Sequence, residues 1–295
     1  MSKHWTNYWE QGFLTSFGGA FKGNYQGALK SFWKDYAQEI QTKALILDVG
    51  TGNGALIALL QDRTNLSFVG VDKAEVNKKI TSQLNGEFYS NIDAKDMPFK
   101  DGMFDIVIGQ FSMEYTGLNT SVAEIFRVLK PGGSYLFVCH SPDSIIIEPN
   151  SKILLEAESI NSNILEDIYS LALAIQNKDE SLTQTTLTKV NSYLDSRVAE
   201  QKKALTGTNL QLFIDFLLAN KNKDIDFLKA VQLFDKELKL LILRLNELVN
   251  AANNTALLIE EFKSNSQVVN VGEIYENNEL IAVYVKGNYG VDGCT

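Results

Sequence analysis

The sequence predicts an α/β fold, a parallel sheet with helices on both faces, and three observations carry that expectation. The stretch 44–60, ALILDVGTGNGALIALL, runs from an apolar strand closing on Asp48 through Gly50, Gly52 and Gly54 into a helical pattern with Leu56, Leu59 and Leu60 on one face. Strand-like apolar segments recur at 66–72, 86–92, 103–109 and 133–139, with helical patterns between several of them; that alternation implies right-handed crossovers and parallel pairing. Polar residues fall at the ends of these segments, namely Asp48, Asp72, Asp93, Gln110 and His140, where open α/β sheets bind their ligands.

The first segment is a ligand-cradling unit. Glycine lets the main chain turn tightly and approach a ligand, while a helix start offers unpaired N–H groups and a partial positive charge. Alone, Gly50-x-Gly52-x-x-Ala55 also fits a dinucleotide fingerprint, with Asp72 at the spacing of a ribose-binding acid, so a nicotinamide oxidoreductase stays open on this motif. The ordered series LDVGTGNG, FVGVD, NIDAKDMPF, FDIVIGQFSMEY and RVLKPGGSYLFV resembles the class I S-adenosylmethionine-dependent methyltransferases, closely over about 40–143 and more loosely in the final strands.

That resemblance implies a Rossmann-like, seven-stranded, mostly parallel sheet whose last strand inserts antiparallel. It implies S-adenosylmethionine as cofactor and S-adenosylhomocysteine as product. The loop Gly50, Thr51, Gly52, Asn53 and Gly54 would meet the methionine carboxylate through its backbone. Asp48 would orient that loop and receive the ammonium, or merely cap loop N–H groups. Asp72, with Lys73 beside it, would accept the ribose hydroxyls, its bland alternative being a helix N-cap. Asp93 would read the adenine amine beside the backbone of Ala94, with Asp96 as competitor. The Gln110 carbonyl would lie near the methionine and Phe111 would pack close to it.

The chain departs from relatives that methylate planar amines, because GQFSMEY lacks their Pro-Pro and aromatic run. Glu114 and Tyr115 stand where many relatives have Glu-His. Methyl transfer needs a general base only if the nucleophile arrives protonated. His140, whose ring titrates near neutrality, is then the first candidate, against a hydrogen-bonded structural histidine. Tyr115 is the second candidate, and Tyr8, Trp9, Tyr25 and Glu114 are expected to cover or position a substrate.

Composition narrows the partners. Twenty-seven basic against 36 acidic residues leave a net charge of −9, which argues against a broad nucleic-acid or anionic-membrane surface. The start MSKHWTNYWEQGF has no apolar signal-peptide core, and no run of 18 apolar residues occurs, so a soluble, cytoplasmic protein is expected. Cys139 in an apolar run and Cys294 near the end read as buried filler and an exposed thiol, in keeping with a reducing cytosol. Two His and two Cys, widely separated, predict no metal site.

Three regions are expected. Residues 1–43 form an aromatic helical arm, with Trp9, Phe13, Phe17, Phe21 and Tyr25 every fourth position and Gly12, Gly18, Gly19 and Gly23 breaking it into short helices; it serves as packing, as a lid, or both. Residues 44–143 and 265–295 form the cofactor-binding core, the tail returning as a hairpin of strands 267–275 and 280–285 around Glu276, Asn277 and Asn278. Residues 144–264 form a helical insertion between strands 5 and 6, with candidate helices in 151–176, 180–205 and 209–219. Its Val231, Phe234, Leu238, Leu241, Leu245 and Leu248 make a heptad-like seam for an internal helix pair or a homodimer. The expected activity is methyl transfer to a small-molecule or carrier-bound acceptor. A protein methyltransferase and a non-catalytic cofactor-binding partner subunit are the alternatives.

Overall fold

The protein, a computed structural model, is described for residues 2–17, 23–266 and 268–290. Phe21, Gly18, Gly19, Gln267 and Cys294, all used in the sequence reading, lie outside the described residues. The chain divides into two compact units, 1–145 with 251–295, and 146–250.

The first unit is the expected sheet. Helices α1 (Ser2–Glu10) and α2 (Gly27–Glu39) precede β1 (Ala44–Val49), α3 (Ala55–Leu60), β2 (Leu66–Asp72), α4 (Lys78–Thr81), β3 (Glu87–Ser90), β4 (Phe104–Gln110), α5 (Leu118–Val128) and β5 (Leu129–Cys139). After the insertion come β6 (Val268–Glu276) and β7 (Glu279–Asn288). The strand order is β3-β2-β1-β4-β5-β7-β6, a seven-stranded sheet. β1 to β5 pair in parallel, and β7 enters antiparallel between β5 and β6.

The central position of β1 explains its sequence: with neighbours on both edges and cover on both faces, a parallel strand reads as a nearly continuous apolar run. The β6–β7 turn uses Asn277 and Asn278, both at positive φ (52° and 65°), which asparagine tolerates better than most residues and which matches the twist of a two-residue hairpin. One face is sealed by an aromatic stack of Phe262 on Tyr135 and Phe137, with centroids 4.6 and 5.3 Å apart.

The second unit is helical: α6 (Ile147–Asn163), α7 (Leu165–Gln176), α8 (Glu180–Gly207), α9 (Leu210–Ala219) and the first part of α10 (Phe227–Asn265). Ile164, at φ −131° and ψ −11°, separates α6 from α7. Ile160, Leu171, Val190 and Ile214 gather around Val231 and Leu238, with Phe234 and Leu241 packed against them and Phe213 stacked on Phe234 at 4.5 Å. Much of the heptad-like seam is therefore used inside the unit's own core. Among the described residues no helix is long and apolar enough to cross a membrane.

Candidate functional site

The chemistry-bearing residues of the first unit collect at the carboxyl ends of β1, β2, β3 and β4. Beyond β1 the chain turns at Gly50, at φ +74°, and the Gly50 and Thr51 N–H groups donate to Val71 O at 2.9 and 3.0 Å, tying the loop to β2. A Cβ at Gly50 would collide with Ser112, so this glycine makes room for the turn after β4. Asp48 is buried beneath the loop and accepts Thr51 Oγ1–H at 2.7 Å. Burial raises its carboxyl to about 7, the Asp72 charge adding to the effect while Thr51 opposes it.

Asp72 closes β2 and holds two segments at once. Its Oδ2 accepts Gly52 N–H and its Oδ1 accepts Ala74 N–H, each at 2.8 Å. Burial raises it to about 6 against those two hydrogen bonds. Asp93, beyond β3, is partly exposed and paired with Lys73 Nζ at 2.8 Å. Burial alone would push Asp93 up, but Lys73 and Lys95 hold it below the usual carboxylate range.

Asp72 and Asp93 border a cavity of about 460 Å³. The sheet order sets its two ends. Asp72, Lys73, Asp93, Ala94 and Lys95 line the side of β2 and β3, while Gln110, Phe111, Ser112 and Tyr115 line the side of β4. Trp5, Trp9, Leu14, Ser16 and Tyr25 from the N-terminal segment complete the wall. That segment is anchored by Asn53, whose Nδ2 donates to Trp9 O and Phe13 O at 3.0 and 2.7 Å and whose Oδ1 accepts Asn77 N–H at 2.8 Å. Gly52, at φ +53°, lies directly under the Trp9 indole, with no room for a side chain. Its need for glycine is thus met by an intramolecular contact.

The β4 side is built around Gln110. Trp33 Nε1–H, buried in α2, donates to Gln110 Oε1 at 2.6 Å, and an indole has only a donor to give, so the carboxamide orientation follows. Gln110 Nε2 and Ser112 Oγ are buried without a hydrogen-bond partner among the described residues. Burial raises the Tyr25 phenol to about 12, against the opposing effect of the neighbouring Gln110 and Ser16 side chains. Buried polar atoms seldom stay unpaired, and Gln110 and Ser112 both line the cavity.

His140 is not on the cavity wall. Its ring stacks at 4.1 Å and 5° on Phe111, which lines the cavity in its place. Burial lowers it to about 3, so it is neutral in the folded protein. Its backbone N–H donates to Glu114 Oε1 at 2.9 Å, and Glu114, fully buried, is itself raised to about 7 by desolvation. Asp48, Gly52, Asn53, Gly54, Glu114 and Tyr8 also lie off the wall, Tyr8 donating to Thr15 O at 2.8 Å. Trp5, Trp33 and Ser112 were missed by the sequence reading. Trp5 had a signal, since Trp5, Tyr8 and Trp9 share a helix face by spacing; Trp33 had none. Among the described residues no cluster of metal-ligating side chains occurs.

Residues 47–137 match the family described as a methyltransferase domain. With the sheet order and the glycine loop, the match defines a class I S-adenosylmethionine-dependent methyltransferase domain, and the chain carries one. The chain is 26% identical over 140 residues to the ubiquinone/menaquinone biosynthesis C-methyltransferase of Vibrio parahaemolyticus, covering 43% of this chain and 53% of that protein. It is 34% identical over 100 residues to the malonyl-[acyl-carrier protein] O-methyltransferase of Geobacter sulfurreducens, covering 32% of this chain and 38% of that protein. The match thus spans about half or less of these relatives' own length. A solved S-adenosylmethionine-dependent methyltransferase of Methanosarcina mazei is similar at 25% identity and a TM-score of 0.33, over 37% of this chain and 58% of that one.

Proposed function

We propose that this chain transfers the methyl group of S-adenosylmethionine to a small-molecule or carrier-bound acceptor. The observation that carries the reading is the Asp72 carboxylate. It lines the cavity with each oxygen held by one backbone N–H, which leaves lone pairs for two vicinal hydroxyls such as those of a ribose.

When bound, the cofactor supplies a methyl group activated on a sulfonium. The chain's residues bind and align. Asp72 accepts the ribose hydroxyls, Asp93 and the backbone of Ala94 meet the adenine, and the loop 50–54, braced by Asp48 through Thr51, receives the methionine end. Lys73 keeps Asp93 ionised. Gln110 and Phe111 close the floor, and Trp5 and Trp9 exclude water from above. An in-line displacement needs chiefly this alignment and dryness. His140 and Glu114, both off the wall, support Phe111 from behind, a positioning role.

The relatives' names support the acceptor class and leave its reacting atom open: one is a C-methyltransferase of quinone biosynthesis, the other an O-methyltransferase of an acyl-carrier-bound acid. Use of the α10 seam within the insertion's own core favours a self-contained helical unit over a homodimer strap.

Calorimetric titration with S-adenosylhomocysteine tests the cofactor assignment. Asp72→Ala is expected to weaken binding about tenfold or more without unfolding the protein, and unchanged affinity would sink the ribose assignment. Methyl-labelled cofactor incubated with a cell extract then distinguishes the alternatives. Label in the small-molecule or carrier pool supports the reading, label in other protein points to a protein methyltransferase, and binding without label points to a non-catalytic or partner-dependent subunit.

A further inference from the structure

Phe111 holds an uncommon backbone conformation. Its φ of +54° lies in the left-handed region, which a bulky side chain avoids unless its surroundings impose it. Two contacts hold it there: its N–H donates to Val138 O at 2.8 Å, and its ring lies flat on the His140 ring. His140 also meets Tyr115 edge-on at 6.1 Å, so one buried ring backs two aromatic residues of the cavity wall.

His140 is in turn held at both of its backbone groups. Its N–H donates to Glu114 Oε1 at 2.9 Å, and its carbonyl accepts Thr255 Oγ1–H at 2.8 Å. Thr255 belongs to the last part of α10, within the first unit. Asn254, the residue before it, donates from Nδ2 to Glu114 O at 3.2 Å, so the same turn of α10 also reaches the segment that carries Tyr115.

The sequence of α10 sets Thr255 apart. Ala251, Leu258 and Phe262 share its stripe at helical spacing, and all three are apolar and buried. Valine, of the same shape, would pack in that stripe as well, so the hydroxyl is what distinguishes threonine. A helical threonine ordinarily satisfies its hydroxyl on the carbonyl four residues back. Here Ala251 O lies at 3.5 Å and His140 O at 2.8 Å, so the shorter bond leaves the helix.

We propose that Thr255 is a positioning residue for methyl transfer: by fixing the His140 carbonyl it keeps the His140 ring behind Phe111 and Tyr115, and so holds the aromatic wall that the methyl group and its acceptor meet. The inference rests on the methyltransferase reading above, in which Asp72 and Asp93 place ribose and adenine at the other end of the cavity. Thr255 lies beyond residues 47–137, so the site draws on a helix outside the segment that matches the methyltransferase family.

The test compares Thr255→Val, which removes the hydroxyl, with Thr255→Ser, which keeps it. His4 and His140 are the two histidines of the chain, so the histidine ring C–H signals in an NMR spectrum come from two residues, and the ring current of Phe111 shifts those of His140 upfield. In Thr255→Val the His140 signals are expected to move back toward free-histidine positions, and the rate of label transfer from S-adenosylmethionine in cell extract to fall about tenfold, the scale of a small misalignment. Affinity for S-adenosylhomocysteine, titrated calorimetrically, is expected to stay within about threefold, and Thr255→Ser to restore both signals and rate. Unmoved His140 signals, an unchanged rate, or a loss of affinity as large as the loss of rate overturns the proposal. Should Thr255→Val not fold, Thr255→Ser and Thr255→Ala, which differ in the hydroxyl alone, make the same comparison. Failure of the wild type to bind S-adenosylhomocysteine or to transfer label removes the methyltransferase reading instead; the His140 signals are read without cofactor and still decide whether Thr255 holds the ring.

Discussion

Glu114 Oε1 accepts the backbone N–H of His140 at 2.9 Å, so a fully buried carboxyl joins the turn after β4 to the end of β5. The other oxygen, Oε2, has no hydrogen-bond partner among the described residues, and burial raises the group to about 7. Glu114→Gln preserves the accepting oxygen and removes the buried charge. At pH 8 this variant is expected to melt no lower than the wild type. Glu114→Ala strands the His140 N–H and is expected to cost about 1–3 kcal/mol, read by chemical denaturation.

Stability should depend on pH in a direction set by four buried groups. Asp48, Asp72 and Glu114 have folded values raised to about 7, 6 and 7, above their ordinary values of 3.8, 3.8 and 4.5. Their contribution is fully present below the ordinary values and is lost as pH rises through the folded ones. His140, lowered to about 3 from 6.5, acts oppositely and disfavours folding as pH falls below 6.5. Three groups oppose one between about pH 5 and 6, and two oppose one or none between about 6 and 7, so the ligand-free protein is expected to lose stability as pH rises from 5 to 7. Melting temperatures that climb steadily over this interval would contradict these burials.

Anchoring of the N-terminal segment depends on Asn53. Asn53→Ala removes the donors to Trp9 O and Phe13 O and the acceptor for Asn77 N–H. The expected result is a loss of about 2 kcal/mol, faster proteolysis within the first 25 residues, and altered fluorescence of Trp5 and Trp9. Gly52→Ala should give the same pattern by pushing its Cβ into the Trp9 ring. Unchanged proteolysis in both variants would show that the segment is held by other contacts.

A general base contributes about a hundredfold or more to rate, and a packing partner much less. His140, neutral and screened from the cavity by Phe111, is expected to be a packing partner. His140→Phe should keep the stack and lower turnover by less than about tenfold. Any limb of the wild-type rate profile near pH 6–7, where Asp72 and Asp48 titrate, should then persist in the variant. A large loss together with loss of such a limb would restore the histidine as base.

The sheet was legible because its signals are local. Strand 44–49 betrays its central place by unbroken apolar residues, and Asn277-Asn278 betrays the hairpin by its tolerance of positive φ. Of the residues singled out at strand ends, Asp72, Asp93 and Gln110 line the cavity while Asp48 and His140 do not; Phe111 and Tyr115, singled out by the resemblance, line it as well. The α10 seam was legible as a repeat, but its partner was not, since a heptad pattern fits an internal helix as well as a second subunit.

By itself the sequence determined which segments become strands and which residues stand at their carboxyl ends, because backbone pairing and side-chain alternation are read over a few neighbouring residues. Only the tertiary structure decided what those residues face. Gly52 answers to Trp9, Gln110 to Trp33 across 77 residues of chain, and His140 hides behind Phe111 instead of reaching the cavity. Such assignments depend on which surfaces meet when the sheet closes, and contacts between distant segments leave no periodic trace in either one.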